Sequence, residues 1–243
     1  MITRQLFRNL TCVFIVGLAI AQAQDARATP IFDAANDFNL GNNPNNVWSY
    51  GFSSSIGGSF TPFTETSTTF LNPNFETWLV NPQNHPFITR NTAATNQQGL
   101  VLNLNPGKIA LHPGPDSAGG LLAVLRWTAP SSQAFTLDAV FEGRDTSGGA
   151  TTDVHILHNG VSLLDGEIDG MFGTGSGPSF SSKLFFNAGD TIDFVVGNGG
   201  NDFPQDGTGL DATFTAAVPE PMSLLGLFSV VGITAALKRK GST

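Results

Sequence analysis

Six acidic side chains lie close together in the second half of the sequence, and paired carboxylates are the groups that hydrolyse glycosidic bonds. One carboxyl group of such a pair donates a proton to the leaving oxygen, while the other acts as base or nucleophile. The donor needs a pKa raised by a cleft, whereas acids of solvated loops and strand edges need none. The sequence therefore predicts a protein that is not an enzyme, with activity on glycosides as a distant alternative. The six residues are Glu142, Asp145, Asp153, Asp165, Glu167 and Asp169.

The other residues that could do chemistry form no familiar catalytic pattern. The sequence has no Gly-x-Ser-x-Gly elbow, no His-Glu-x-x-His pair and no phosphate loop. His155 and His158 are three residues apart. On a strand this spacing directs them to opposite faces, so they cannot share a metal ion.

Two groups of aspartates suit a calcium ion, which binds carboxylate and carbonyl oxygens. Asp202, Asp206 and Asp211 lie around the start of the last predicted strand, and Asp33 and Asp37 lie near the first. Aspartate is also a common former of turns. A structural calcium ion and an ion-free set of turns therefore both stay open, and no other cofactor is expected.

Trp48 and Tyr50 are the aromatic residues best placed to stack on sugar rings. They are two residues apart on a short predicted strand, so they share one face. The loop before them holds four asparagines between residues 42 and 46, whose amides donate and accept hydrogen bonds. Large aromatics also fill protein cores, and we expect Trp127 to be buried. For Trp48 and Tyr50 we predict an exposed glycan platform.

Between residues 31 and 217 the chain has the pattern of short strands. Gly, Asn, Ser, Thr and Pro separate runs rich in Phe, Val, Ile, Leu and Thr, and no window has apolar residues at helical spacing. Residues 135 to 142 alternate between apolar and polar, so one face can be core and the other wet. The predicted strands span 47–52, 75–80, 100–104, 121–128, 135–141, 153–158, 179–186, 191–196 and 210–215.

Asn159 and Gly160 predict a tight turn between strand 153–158 and a return strand. Asn-Gly is favoured there because a type I′ turn needs positive φ at both central residues. Many short strands with no helix between them predict an all-β fold of two packed antiparallel sheets, a β-sandwich over residues 31–217.

The first 23 residues have the three parts of a secretory signal peptide. Two arginines precede an apolar core from Leu10 to Ala21, and small residues fit cleavage after Ala23. A second small-residue site permits cleavage after Ala28 instead. Signal peptidase is therefore an expected partner, and either cut removes Cys12, the only cysteine.

The C-terminal segment, residues 218–243, begins with a stop signal and continues as an apolar run. Proline has no N–H to donate, so Pro219, Glu220 and Pro221 end the folded region. Residues 222–237 carry no charge and would form a helix of roughly 24 Å at about 1.5 Å per residue, a little short of the bilayer's hydrocarbon core. The cations that follow favour a cytoplasmic end. The segment predicts a transmembrane helix with the bulk of the chain outside the cytoplasm; its basic residues are Lys238, Arg239 and Lys240.

This tail resembles the PEP-CTERM sorting signal of exopolysaccharide-producing Gram-negative bacteria, in which a Pro-Glu-Pro motif, a short transmembrane helix and a basic cluster follow in that order. The resemblance implies that an exosortase recognises residues 219–221 and cleaves near them. The domain would be held transiently in the inner membrane through residues 222–237 and then pass to the cell envelope or the extracellular matrix. A plain single-pass tail anchor is the alternative.

Several segments of the domain look like a jelly-roll module found in exported bacterial proteins. They include Leu111-His-Pro-Gly, Arg126-Trp-Thr-Ala-Pro and Ala188-Gly-Asp-Thr. The resemblance covers most of residues 31–217 and implies a jelly-roll-like sandwich, flanked by the signal helix and the transmembrane helix. No catalytic residues come with it.

The exported part of the chain is strongly acidic. Residues 24–221 keep 6 basic residues against all 19 acidic ones, a net charge of −13. This charge argues against a nucleic-acid partner and suits attraction for divalent cations. We expect a non-catalytic envelope or matrix protein, processed by an exosortase and associated with exopolysaccharide in a biofilm. The alternative is a glycan-binding module that uses the same export route.

Overall fold

The computed structural model describes residues 31–81, 84–173 and 177–217. The predicted signal peptide (1–23), the sorting motif Pro219, Glu220 and Pro221, the helix 222–237 and the basic cluster at 238–240 lie outside these residues. Within the three described ranges, no helix has the length and apolar character needed to cross a bilayer.

The described residues form short strands joined by loops, with one 3-10 helix at Asp116–Ala118. The strands, in chain order, are β1 Ile31–Asp33, β2 Trp48–Ser53, β3 Thr61–Pro62, β4 Glu65–Ser67, β5 Phe75–Leu79, β6 Phe87–Asn91, β7 Gln97–Gly99, β8 Leu102–Leu104, β9 Ile109–His112, β10 Leu122–Thr128, β11 Gln133–Gly143, β12 Ala150–His158, β13 Val161–Gly170, β14 Ser179–Phe186, β15 Thr191–Val196 and β16 Thr208–Ala216.

The strands build two main sheets, and the paired strands are antiparallel. The eight-stranded sheet has the order β14-β11-β16-β9-β6-β5-β4, with β1 paired to β16. The six-stranded sheet has the order β13-β12-β15-β10-β2-β3, and β7 and β8 form a separate hairpin. The predicted all-β, antiparallel architecture is confirmed.

The inner faces of the two main sheets pack together and form the core. In β11 the odd-numbered positions from 135 to 141 are buried and belong to the core, as the alternation of residues 135 to 142 predicts. Trp127 of β10 stacks on Phe214 of β16, with ring centroids 3.9 Å apart and planes 9° apart. Trp127 is completely buried, as expected from the sequence, and this contact joins one sheet to the other.

The Asn-Gly turn is where the sequence places it. Asn159 has φ 50° and Gly160 has φ 80°, and the turn joins β12 to β13 with Val161 opposite His158. The Asn159 side chain also accepts a hydrogen bond from Thr191 N at 2.8 Å. The turn is thus tied to the next strand of the same sheet.

Two of the sequence expectations about strands are wrong in detail. The predicted strand 100–104 begins too early, because Leu100 has φ 55° and is 67% exposed in the turn between β7 and β8. Strands β6 and β9, in the middle of the eight-stranded sheet, are missing from the prediction. β9 is buried on both faces, since Ile109 and Leu111 join the main core and Ala110 joins a second apolar cluster. Burial on both faces removes the alternation that identifies a strand.

Candidate functional site

A groove of about 670 Å³ crosses the outer face of the six-stranded sheet, the face turned away from the core. We call it the outer groove. Its floor comes from β10 and β12, one edge comes from β13, and two loops form its walls. Its lining residues are Ser55, Ile56, Leu122, Thr151, Thr152, Asp153, Glu167, Ile168, Asp169, Asn198, Gly199, Gly200 and Asn201.

The β12–β13 hairpin brings the carboxylates of the outer groove together. Val154 and Ile156 of β12 point into the core, so Asp153 and His155 point outward, because side chains alternate along a strand. The register then sets Glu167 opposite Asp153 and Asp165 opposite His155. Acids more than ten residues apart in sequence therefore share one surface.

His155 is held between two carboxylates beside the outer groove. Its Nε2 lies 2.9 Å from Asp153 Oδ2, and its Nδ1 lies 2.7 Å from Asp165 Oδ1. The hydrogen bond to Asp153, followed by that to Asp165, raises the pKa of His155 against the opposing effect of burial. The same bonds lower the pKa of Asp153 and of Asp165. Both ring nitrogens are engaged, so the ring fixes the two carboxylates in ionised form.

One wall of the outer groove is the loop that follows β15. Gly199 N donates a hydrogen bond to Asp153 Oδ1 at 2.7 Å, and Asn198 Nδ2 donates to Asp116 Oδ1 at 2.6 Å. Gly199 has φ 61°, and a Cβ there would lie 2.1 Å from Thr151 O. Only glycine fits this position, so the loop lies directly against β12 and its backbone is fixed relative to the carboxylates.

The other wall is the loop between β2 and β3, which crosses the outer face of the sheet. Phe60 packs on an apolar cluster of that face formed by Leu122, Val124, Leu157 and Val195. Arg126 lies over the Phe60 ring at 4.4 Å and forms two hydrogen bonds with Asp193, of 2.6 and 2.8 Å. The loop thus covers this apolar cluster through Phe60, while Ile56 of the same loop is 50% exposed.

The six carboxylates that the sequence groups together separate into two sets. Asp153, Glu167 and Asp169 line the outer groove, and Asp165 lies in an adjoining depression with His155. Asp145 is fully buried elsewhere, and Glu142 pairs with Arg144. The hairpin register that gathers the first set depends on the Asn-Gly turn and also on a β-bulge between Ile156 and Leu157, so the turn residues alone could not have selected these carboxylates.

The predicted glycan platform at Trp48 and Tyr50 is wrong. Both side chains are 0% exposed and belong to the core. Tyr50 stacks on Trp78, with centroids 5.8 Å apart, and burial raises the pKa of its hydroxyl to about 12. Trp48 Nε1 donates to Asp37 Oδ2 at 3.1 Å. The two residues do share a face of β2, as predicted, but that face is covered by the opposite sheet.

Two of the four asparagines before β2, Asn43 and Asn45, bind the protein's own backbone. Asn43 Oδ1 accepts a hydrogen bond from Tyr50 N at 2.9 Å, and Asn43 Nδ2 donates to the carbonyl oxygens of Tyr50 and Phe63, at 2.6 and 2.9 Å. Asn45 Nδ2 donates to Asp37 O at 2.7 Å. These amides close a loop around β2, so they are not available to a ligand.

The aspartates considered for calcium have other partners or lie apart. Asp33 Oδ1 accepts from the backbone of Ala35 at 2.9 Å, as a turn former does. Asp211 pairs with Lys108, and Asp202 accepts a 3.4 Å hydrogen bond from Asp116 N. Across the described ranges, no group of three or more His, Cys, Asp or Glu side chains is arranged to hold a metal ion. Asp206 is fully buried.

No protein-family model matches the chain, and no curated protein matches it.

Several solved structures share part of its fold. The CBM51 of Clostridium perfringens GH95, in complex with methyl-galactose, has a TM-score of 0.35 and 13% identity, covering 64% of this chain and 95% of that one. The CBM51-2 and INT domains of Clostridium perfringens ZmpB, in complex with GlcNAc, give 0.30 and 17%, covering 50% and 24%. The Podospora anserina GH26-CBM35 β-(1,4)-mannanase gives 0.30 and 17%, covering 61% and 29%. At these identities and TM-scores, the similarity does not identify a ligand for this chain.

Proposed function

We propose that the protein is a non-catalytic glycan-binding protein that is exported and binds its ligand in the outer groove. The observation that carries this proposal is the combination, in one groove of about 670 Å³, of carboxylates and amide groups with apolar side chains. Sugars present hydroxyl groups beside C–H faces, so they need both kinds of surface in one place. We also propose that the β-sandwich is a jelly-roll-like module.

The polar side of the groove suits sugar hydroxyls. Asp153 is anchored by His155 and by Gly199, and therefore presents a carboxylate whose position is fixed. Glu167 and Asp169 are exposed along the β13 edge. A hydrogen bond to a charged group contributes about 1.5–3 kcal/mol, so each such bond to a sugar hydroxyl would favour binding. Ile56 and Leu122 supply the apolar contact.

The charge of the groove favours neutral sugars. The residues that line the outer groove and the adjoining depression include one basic side chain, His155. They include four carboxylates: Asp153, Asp165, Glu167 and Asp169. Like charges repel, so anionic polysaccharides are disfavoured. Neutral hexoses or N-acetylhexosamines meet no such barrier.

The same groups argue for binding over catalysis. A glycosidase needs one carboxyl with a raised pKa to protonate the leaving oxygen. The pKa of Asp153 is lowered, chiefly by the hydrogen bond from His155. The carboxyls whose pKa is raised by burial, Asp145 and Asp206, do not line the groove.

We also propose the route by which the domain reaches its ligand. The tail at residues 218–243, with Pro219, Glu220, Pro221 and a terminal basic cluster, is proposed as an exosortase signal. The domain would then act in the cell envelope or the exopolysaccharide matrix. A protein that binds a neutral glycan there would link the cell to its matrix.

Affinity electrophoresis tests the binding proposal. The protein is run in native gels that contain a neutral glucan, galactan or mannan, or an anionic alginate. We expect retardation by at least one neutral polymer, and less retardation of an Ile56→Ser variant. Leu100→Ser, which changes another exposed apolar residue outside the groove, should migrate like the parent. If none of the neutral polymers retards the protein, or if both variants are retarded equally, the proposal is wrong.

A further inference from the structure

Asp145 and Asp206 are two carboxylates buried in the same part of the molecule, away from the outer groove. Asp145 follows β11 and Asp206 precedes β16, and both residues are 0% exposed. Asp145 Oδ2 accepts a hydrogen bond from Gly207 N, the amide that directly follows Asp206. Both residues therefore lie at the same backbone amide, that of Gly207, although they are 61 positions apart in the sequence.

Each carboxylate has one oxygen that is satisfied and one that is not. Asp206 Oδ1 accepts from Thr151 N at 3.1 Å. Asp145 Oδ1 and Asp206 Oδ2 are buried and have no hydrogen-bond partner among the described residues. A buried carboxylate oxygen without a partner costs free energy on the order of 1–3 kcal/mol or more, and natural proteins avoid this by pairing the charge or by coordinating a metal.

The described residues supply no compensating cation. Neither Asp145 nor Asp206 takes part in a salt bridge within the described ranges. The adjacent Arg144 pairs with Glu142 and lies 5.6 Å from the Phe172 ring centre. Burial raises the pKa of Asp145 and of Asp206 to about 6, and the charge of Asp145 adds to the effect on Asp206. Two buried carboxylates close enough to influence each other thus have no counter-charge among the described residues.

We propose that Asp145 Oδ1 and Asp206 Oδ2 bind one calcium ion. Two carboxylates and one divalent ion are together electrically neutral, which removes the cost of burying two like charges. Calcium takes oxygen ligands, including neutral carbonyl and hydroxyl oxygens, in flexible geometry. This matches a site where no third acidic, His or Cys side chain of the described residues is in position. Magnesium is less suited, because it is reluctant to lose its waters.

The ion would reinforce the contact between two loops that hydrogen bonds of Gly207 with Asp145 and Arg144 already bring together. It would hold the β11–β12 connection to the end of the β15–β16 connection, whose first residues, Asn198 to Asn201, form a wall of the outer groove. This site does not depend on the glycan-binding proposal, since Asp145 and Asp206 lie outside the groove.

Calorimetry and thermal unfolding test the site on the exported protein, first stripped with EGTA and then dialysed. We expect one calcium ion per chain on titration with CaCl2. We also expect a rise in Tm of about 5 °C or more at 10 mM calcium, for a Kd near 0.1 mM, and no comparable effect of 10 mM MgCl2. The Asp145→Asn and Asp206→Asn variants should each lose calcium binding at least tenfold. The control is Asp202→Asn, which changes an exposed aspartate of the same loop, and it should bind like the parent.

Three results would overturn the proposal. The first is a parent protein that releases or absorbs no heat on titration with calcium and whose Tm does not change with EGTA. This result does not depend on whether any variant folds. The second is undiminished calcium binding by either Asn variant. The third is binding of zinc in place of calcium, because zinc prefers nitrogen and sulfur ligands to the oxygen ligands proposed here.

Discussion

His155 Nε2 lies 2.9 Å from Asp153 Oδ2, so the imidazole ring fixes one carboxylate of the outer groove. The second ring nitrogen lies 2.7 Å from Asp165 Oδ1. This arrangement links the charge of one histidine to the geometry of the groove, and it makes the groove sensitive to pH.

The His155 network predicts a stability optimum with two limits. The folded pKa of His155 is raised, so its stabilising effect is complete below the unfolded value of about 6.5 and is lost as pH rises through the raised folded value. The pKa values of Asp153 and Asp165 are lowered, so their effect is present above about 3.9 and is lost as pH falls through the lowered values. Tm measured from pH 3 to 9 should fall at both ends, and His155→Gln should remove the alkaline fall. An unchanged alkaline fall in that variant would contradict the network.

Trp48 is predicted to stabilise the core and to make no contact with a glycan. Trp48→Ala should lower the free energy of unfolding by about 3–5 kcal/mol, because the ring is fully buried and donates to Asp37. Phe185→Ala, which removes a 64% exposed aromatic ring, should change it by less than about 0.5 kcal/mol. Urea unfolding followed by fluorescence measures both. Equal effects of the two substitutions would place Trp48 at the surface.

Asn43 is predicted to matter for stability where its neighbour does not. Asn43→Ala removes three hydrogen bonds to backbone groups of Tyr50 and Phe63 and should cost about 1–3 kcal/mol. Asn42 is exposed, so Asn42→Ala should be close to neutral. Comparable denaturation midpoints for the two variants would show that the Asn43 amide does not hold the loop.

The sorting tail is predicted to be read by a processing enzyme. Replacing Pro219, Glu220 and Pro221 by alanine should leave full-length protein in the inner membrane, whereas Ser242→Ala should be processed like the parent. Immunoblots of membrane and extracellular fractions measure this. A normal amount of mature protein from the triple variant would mean that the tail is only an anchor.

The local features of the fold could be predicted from the sequence, and the contacts between distant segments could not. Asn159 and Gly160 specify a turn by their backbone preferences alone, but the register that gathers the groove carboxylates also depends on a bulge between Ile156 and Leu157. The spacing of Trp48 and Tyr50 specifies that they share a face. Which face is buried depends on strands far along the chain, including β16, whose Phe214 packs against Trp48 with centroids 6.0 Å apart.

The outer groove itself had only a partial signal in the sequence. The acidic residues of β12 and β13 are visible, but the walls come from loops whose composition is ordinary. Ile56 and Gly199 reach the groove because Phe60 packs across the sheet and because Gly199 lies against Thr151. The closeness of Asp145 to Asp206 is equally non-local, since it requires β11 and β16 to lie side by side.

Isothermal titration of a neutral oligosaccharide, taken from the polymer that retards the protein most, tests the central claim. The parent and two variants, Glu167→Ala in the groove and Glu65→Ala on the exposed strand β4 of the other sheet, are titrated at pH 7 in calcium-containing buffer. We expect saturable binding by the parent, a loss of roughly tenfold or more in affinity for Glu167→Ala, and parental affinity for Glu65→Ala. Parental affinity in Glu167→Ala, with Tm unchanged in both variants, would contradict the proposal that the outer groove binds the glycan.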